Sequence, residues 1–175
     1  MNTLTRFRKD KDEFYKHDHH SPLTHEQQHV FTGLNYFPEN PDLKLEVTVE
    51  EFPVKQTITM QTSTGANQEY QRFGRFHFSV DGQPAALTIY ENDHEYFLPF
   101  ADALAGEETY GAGRYLEPHR THQGKFLIDF NYAYNPYCAY NPRWSCPIPP
   151  AENRIKVPIR AGEKIFDLID ERSNN

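Results

Sequence analysis

The sequence predicts a mostly β fold, an antiparallel barrel or sandwich with an N-terminal helical segment, and three observations carry the prediction. Leu43, Leu45, Val47 and Val49 alternate with Lys44, Glu46, Thr48 and Glu50, the period-two signature of a half-buried strand. Phe76, Phe78 and Val80 share one face ahead of Asp81-Gly82, a dipeptide suited to a two-residue hairpin turn, and the chain returns through Ala86 to Tyr90. Short apolar runs separated by turn residues then follow with almost no helical periodicity between them.

In chain order, Thr3 is placed to cap a helix carrying Leu4, Phe7, Lys11, Phe14 and Tyr15 at three- and four-residue spacing. A second, short helix is signalled by Ser21, by Pro22 at a first helical position and by Thr24 with Gln27 in capping-box spacing. Gly33 stops it, and Leu23, Val30 and Phe31 form its apolar face. After the turn from Pro38 to Pro41 come the strand at Leu43, a weaker one over Gln56 to Thr62, and a loop from Ser63 to Asn67. The Phe73 to Tyr90 hairpin is next, then strands at Tyr96 to Phe100, Arg114-Tyr115, Lys125 to Phe130 and Ile155 to Ile159. The whole reads as one domain over 1–175, with a helical segment (1–33) packed on a β domain (42–160).

A chain of 175 residues, 37% hydrophobic and 14% aromatic, can bury a core without covalent staples. Its net charge of -7 argues against nucleic acid and anionic membranes as partners, both of which reward clustered Lys and Arg. Neither a secretion signal nor a membrane span is legible, so the expected compartment is the cytoplasm, where two cysteines would be reduced.

Three segments could carry chemistry. His25-Glu-Gln-Gln-His29 has the letters of a zinc peptidase helix, with Glu26 as the base of a metal-dependent hydrolase, but it begins too near Pro22 to be long or buried and lacks a placed third ligand. Gly106 to Leu116 holds three glycines and reads as a pocket rim, in which Arg114 either anchors a carboxylate or phosphate or is spent on Glu108 or Asp129. Asp129 to Pro150 holds both cysteines and four tyrosines among turn-forming Asn-Pro steps. Cys138 and Cys146 fit neither a CxxC pair nor a zinc ribbon; they read as small core residues, a redox pair, or a thiolate with His119 or His122 as base.

The segments Ser21 to Leu23, Gly33 to Pro38, Thr62 to Gly65, Phe97 to Asp102, Glu108 to Tyr115, Asp129 to Tyr140, Cys146 to Asn153 and Ile159 to Lys164 run in an order that resembles a bacterial and archaeal family, domain of unknown function family 1684. The resemblance implies no particular activity. It does not involve a HExxH motif, which makes His25 to His29 a local coincidence.

The expectation is therefore a polar pocket built by the Glu108 to Tyr115 loop and the Asp129 to Asn153 wrap, binding or turning over a small polar or anionic ligand. Its catalytic positions would be Asp129 and Cys138, and its ligand-binding ones Glu108, Tyr110, Arg114, Tyr115, Asn131, Asn135 and Tyr140. No cofactor and no metal are assigned. The alternative is a structural or interaction protein whose aromatic wrap is core.

Overall fold

The computed structural model of the chain describes residues 1–122 and 124–167. Two helices, α1 (Thr3–His17) and α2 (His25–Val30), precede nine strands. A three-stranded antiparallel sheet has the order β1 (Lys44–Thr48), β9 (Lys125–Asp129), β8 (His119–Arg120). A larger antiparallel sheet runs β2 (Glu50–Glu51), β4 (Asn67–Val80), β5 (Gln83–Glu91), β6 (Tyr96–Phe100), β7 (Arg114–Leu116), with β3 (Thr57–Gln61) also on β4.

The sheets do not close into a barrel; they face each other across one core. Val47, Phe126 and Ile128 from the smaller sheet meet Phe73, Phe76, Leu87, Ile89, Leu98 and Phe100 from the larger. The aromatic rings engage edge-on, as Phe100 on Phe130 at 5.3 Å, the geometry their quadrupoles favour. Among the described residues, no helix is long and apolar enough to cross a membrane.

Local chemistry explains most element boundaries. Asn2, not Thr3, caps α1, accepting from the Thr5 amide at 2.8 Å. Thr24 and Gln27 do form a capping box, so α2 starts at His25; Ser21, read as the cap, instead donates to the Tyr15 carbonyl at 2.7 Å. At the hairpin tip Asp81 and Gly82 both take positive φ, 50° and 78°, as a turn matched to strand twist requires.

The expected strand from Ile155 to Ile159 is absent. Val157 and Ile159 are buried as the alternation predicts, yet no ladder forms: Ile155 and Val157 bond to the backbone of Ala101 and Ala103 beside a single bridge at Arg154, and from Ile159 onward side chains hold the backbone. Asp102 accepts from the Ile159 amide at 2.7 Å. Arg114, 1% exposed, donates to the carbonyls of Ile159 at 2.9 Å, Ala161 at 2.5 Å and Glu163 at 3.0 Å. Between Ala161 and Glu163, Gly162 turns with φ 77° so close to the Phe130 and Ala133 carbonyls that an added Cβ would lie 2.6 Å from one of them.

A second seam is closed in the same manner. β5 and β6 pair at Tyr90↔Phe97 and Glu91↔Tyr96, and beyond that point Pro99 has no amide to offer. The Asn153 side chain fills the gap, donating to the Thr88 and Pro99 carbonyls at 2.9 and 2.8 Å and accepting from the Thr88 amide at 2.9 Å.

Removing the guanidinium would strand three buried carbonyls and leave Asp102 uncompensated. Arg114→Met is expected to lower unfolding free energy by about 3–5 kcal/mol in urea denaturation, with faster amide exchange over 159–163. A loss below about 1 kcal/mol would rule out this anchoring role.

Candidate functional site

The residues expected to form one pocket fall into three places. Arg114, expected to anchor an anion, has committed its two terminal nitrogens to the C-terminal carbonyls and lies 3.8 Å from Asp102. Burial pulls it down to about 10, opposed by Asp102 and Glu163, so it is charged at neutral pH. Glu108 pairs instead with Arg160. Tyr115 is buried with its hydroxyl on the Pro147 carbonyl. Asn131 is a clamp: its amide accepts from the Asn40 backbone N–H at 2.8 Å and donates to the Asn40 carbonyl and Asp129 at 2.9 Å. Asn135 donates to the Lys164 carbonyl at 3.0 Å, and Tyr140 donates to the buried Glu163 carboxylate at 2.9 Å. Arg114 and Tyr140 cannot meet a ligand without giving up buried hydrogen bonds, and Tyr115, Asn131 and Asn135 would give up part-buried ones, whereas the Glu108 pair lies at the surface.

Tyr110 and Cys138 do come together, hydroxyl to sulfur at 3.7 Å, with Cys146 on the other side. His119, weighed above as a base for Cys138, lines a cleft with Asp129 instead. His25, Glu26 and His29 stand exposed on the one-and-a-half turns of α2, with His25 and His29 beside a shallow depression shared with His17. Among the described residues, the metal-ligating atoms that converge, within 4.8 Å of one another, belong to Asp18, His19 and His20 in the turn after α1. The hydrolase arrangement is therefore not assembled, since a catalytic zinc needs its ligands gathered around one open position.

Asp129 is the expected residue that reaches a real concavity. A cleft of about 520 Å³ opens where α1 lies across the three-stranded sheet. Thr3 and Phe7 of α1 form one side; Lys44, His119, Leu127 and Asp129 come from the sheet, and Leu116, Glu117, Tyr132 and Tyr134 complete the lining. Register explains the grouping. Lys44 pairs with Asp129 and Leu127 with His119, so a cation stands opposite an anion at one position and an imidazole beside an apolar wall at another. Phe7, 41% exposed, meets Tyr132 edge-on at 5.0 Å.

The cleft also holds a proton-sharing pair that the sequence reading missed. The Tyr134 hydroxyl donates to the half-buried Glu117 carboxylate, with the Lys11 ammonium 4.9 Å from the Tyr134 ring centre. Burial raises the Glu117 carboxyl above its ordinary value, against the Tyr134 hydrogen bond and the charges of Lys11 and His119. Tyr134 is driven up in turn, first by burial and then by Glu117, so it remains a phenol. With one oxygen engaged by Tyr134 and its proton affinity raised by burial, Glu117 can accept a donor or exchange a proton. Asp129 has committed one oxygen to the Asn131 amide at 3.0 Å and offers the other. The pairing of Tyr134 with Glu117 follows from the antiparallel bridge between Tyr115 and Tyr134, which sequence spacing alone does not announce.

Residues 29–164 match the profile of a family described as protein of unknown function (DUF1684). Among solved structures, the chain is similar to the solution NMR structure of an uncharacterized protein from Haloarcula marismortui, at 32% identity, covering 92% of this chain and 91% of that one with a TM-score of 0.70. No curated protein matches the chain.

The raised carboxyl has a definite linkage sign. Because Glu117 holds its proton more tightly folded than unfolded, its contribution is complete below the ordinary carboxylate range and is lost as pH rises through the folded value. The melting temperature of wild type minus that of Glu117→Gln is expected to fall as pH rises above the ordinary carboxylate value of about 4. A flat or rising difference would contradict the burial of this carboxyl.

Proposed function

We propose that the chain, which belongs to the DUF1684 family of proteins of unknown function, binds a small amphipathic molecule with a donor-bearing head, an amine or a polyol, in the cleft between α1 and the three-stranded sheet. The reading rests chiefly on one observation: a partly desolvated carboxyl, Glu117, set among apolar walls. A volume of about 520 Å³ is in the range of pockets for small molecules. Phe7, Leu116, Leu127 and Tyr132 supply surface for an apolar body, Glu117 and Asp129 supply acceptors, Lys44 supplies a charge and His119 an imidazole.

In this reading Glu117 takes the head group, held in one orientation by the Tyr134 hydroxyl, and Asp129 supplies a second acceptor. Glu117 is also the group placed to give or take a proton should the bound molecule react, because burial brings its proton affinity toward neutral pH. The Asp129 to Asn153 wrap itself has a structural role, supported by the internal bonds of Asn131, Asn135 and Tyr140.

A panel of small amines and polyols, screened by thermal shift and by amide resonance perturbation, tests the assignment. A true ligand at about 100 times its Kd is expected to add about 2.7 kcal/mol of stability. It should move resonances near 116–119 and 127–134, and Glu117→Ala and Leu127→Trp should each abolish the effect. If no member of the panel binds, or if both variants bind as wild type does, the assignment is wrong.

A further inference from the structure

The cysteines lie outside the cleft and are built into a different constellation. Pro136 opens a 3-10 turn over Tyr137–Ala139, and its Cys138 amide donates to the Cys146 sulfur at 3.2 Å. Cys146 is held from behind by the loop after β3. Its amide donates to the Ser63 hydroxyl at 3.2 Å, its carbonyl accepts from the Ser63 amide at 3.0 Å, and Ser63 donates on to the Trp144 carbonyl at 2.9 Å. The Cys146 sulfur thus lies against the backbone of Cys138; Cys146 is 7% exposed and Cys138 is half-buried. Tyr110 reaches Cys138 from the opposite side at 3.7 Å.

This is more order than two small core residues need. A thiol within reach of solvent, a second thiol behind it, and a hydroxyl against the outer sulfur are the parts of a two-step exchange. We propose that Cys138 and Cys146 form a thiol–disulfide exchange site for low-molecular-weight disulfides, with Cys138 as the attacking thiol and Cys146 as the resolving one.

The Cys138 thiolate attacks one sulfur of the disulfide RSSR, forming a mixed disulfide and releasing RS⁻. The Cys146 sulfur, giving up its proton to the second departing RS⁻ as it attacks, then bonds to the Cys138 sulfur. The first RS⁻ takes up the proton that Cys138 released on ionising, so the protein dithiol is oxidised to one disulfide and RSSR is reduced to two RSH. Hydrogen bonding from Cys146, helped by Tyr110 and Ser63, outweighs burial and holds the Cys138 thiol down to about 6. Cys146 is driven the other way, by its bond to Cys138 and by burial, and so keeps its proton until the second step.

The test incubates the full chain with glutathione disulfide, quenches with acid, and reads intact mass and the linked peptide. Wild type is expected to lose two hydrogens, keep no adduct and release two glutathiones per chain. Cys146→Ser should retain one glutathione on Cys138, and Cys138→Ser should react at least about tenfold more slowly than Cys146→Ser. A second measurement needs no variant: alkylation of Cys138 by iodoacetamide should reach half its limiting rate near pH 6, well below the ordinary thiol value of about 8.5. The site is refuted if wild type keeps both thiols free, accumulates a mixed disulfide, or if the variants react equally. It is also refuted if alkylation follows an ordinary thiol.

Discussion

One buried guanidinium organises this molecule. Arg114 sits on β7, the last strand of the larger sheet, and gives its donors to the carbonyls of Ile159, Ala161 and Glu163, so a segment with no strand partner is fixed to the sheet edge. The charge is tolerable because Asp102 lies 3.8 Å away and because the Phe100 ring centre is 5.2 Å from the guanidinium carbon. Once residues 159–163 are fixed, Glu163 is fixed with them. Its carboxylate then gathers Tyr140, the Asn135 amide and Lys11 of α1.

Amides do comparable work along the wrap. Asn131 joins the end of β9 to the chain at Asn40, and Asn153 completes the β5–β6 seam where proline interrupts pairing. Each replaces backbone hydrogen bonds that an ordinary ladder would supply, and each buried group so paired avoids a penalty of about 1–3 kcal/mol. The density of Asn, Pro and Tyr between Asp129 and Asn153 is thus largely the chemistry of an irregular segment that must satisfy its backbone without strands.

The parts legible in the sequence were those governed by local rules. Leu45 and Val47 alternate with exposed Lys44, Glu46 and Thr48 because one face of β1 lies on the core, and Asp81-Gly82 reads as a turn because few residue pairs tolerate two positive φ angles. Val157 and Ile159 misled for an instructive reason: burial alternates whether backbone groups are met by a strand or by Arg114 and Asp102, and the sequence displays only the burial. For Arg114 the sequence offered internal partners in Glu108 or Asp129 but not the carbonyls it meets, which lie 45–49 residues downstream. Asp129 was found through its neighbours on the strand. Glu117 was not, because its environment comes from a helix far earlier in the chain and a tyrosine placed by a single bridge.

The junction of Lys11, Glu163 and Tyr140 bears on the order in which the molecule comes together. α1 buries only Leu4 and Tyr15, and its polar grip on the body runs through Glu163, the Asn131 carbonyl and the Phe37 carbonyl. On a ribosome, the helix emerges first, but two of those three anchors arrive well over a hundred residues later. Such long-range closure is slow to reward the chain entropy it costs. α1 is therefore seated both by nearby contacts, Lys16 on the Phe31 carbonyl and Asp12 on the Leu34 amide, and by distant ones that need the C-terminal chain in place, and the cleft wall that Thr3 and Phe7 provide depends on both.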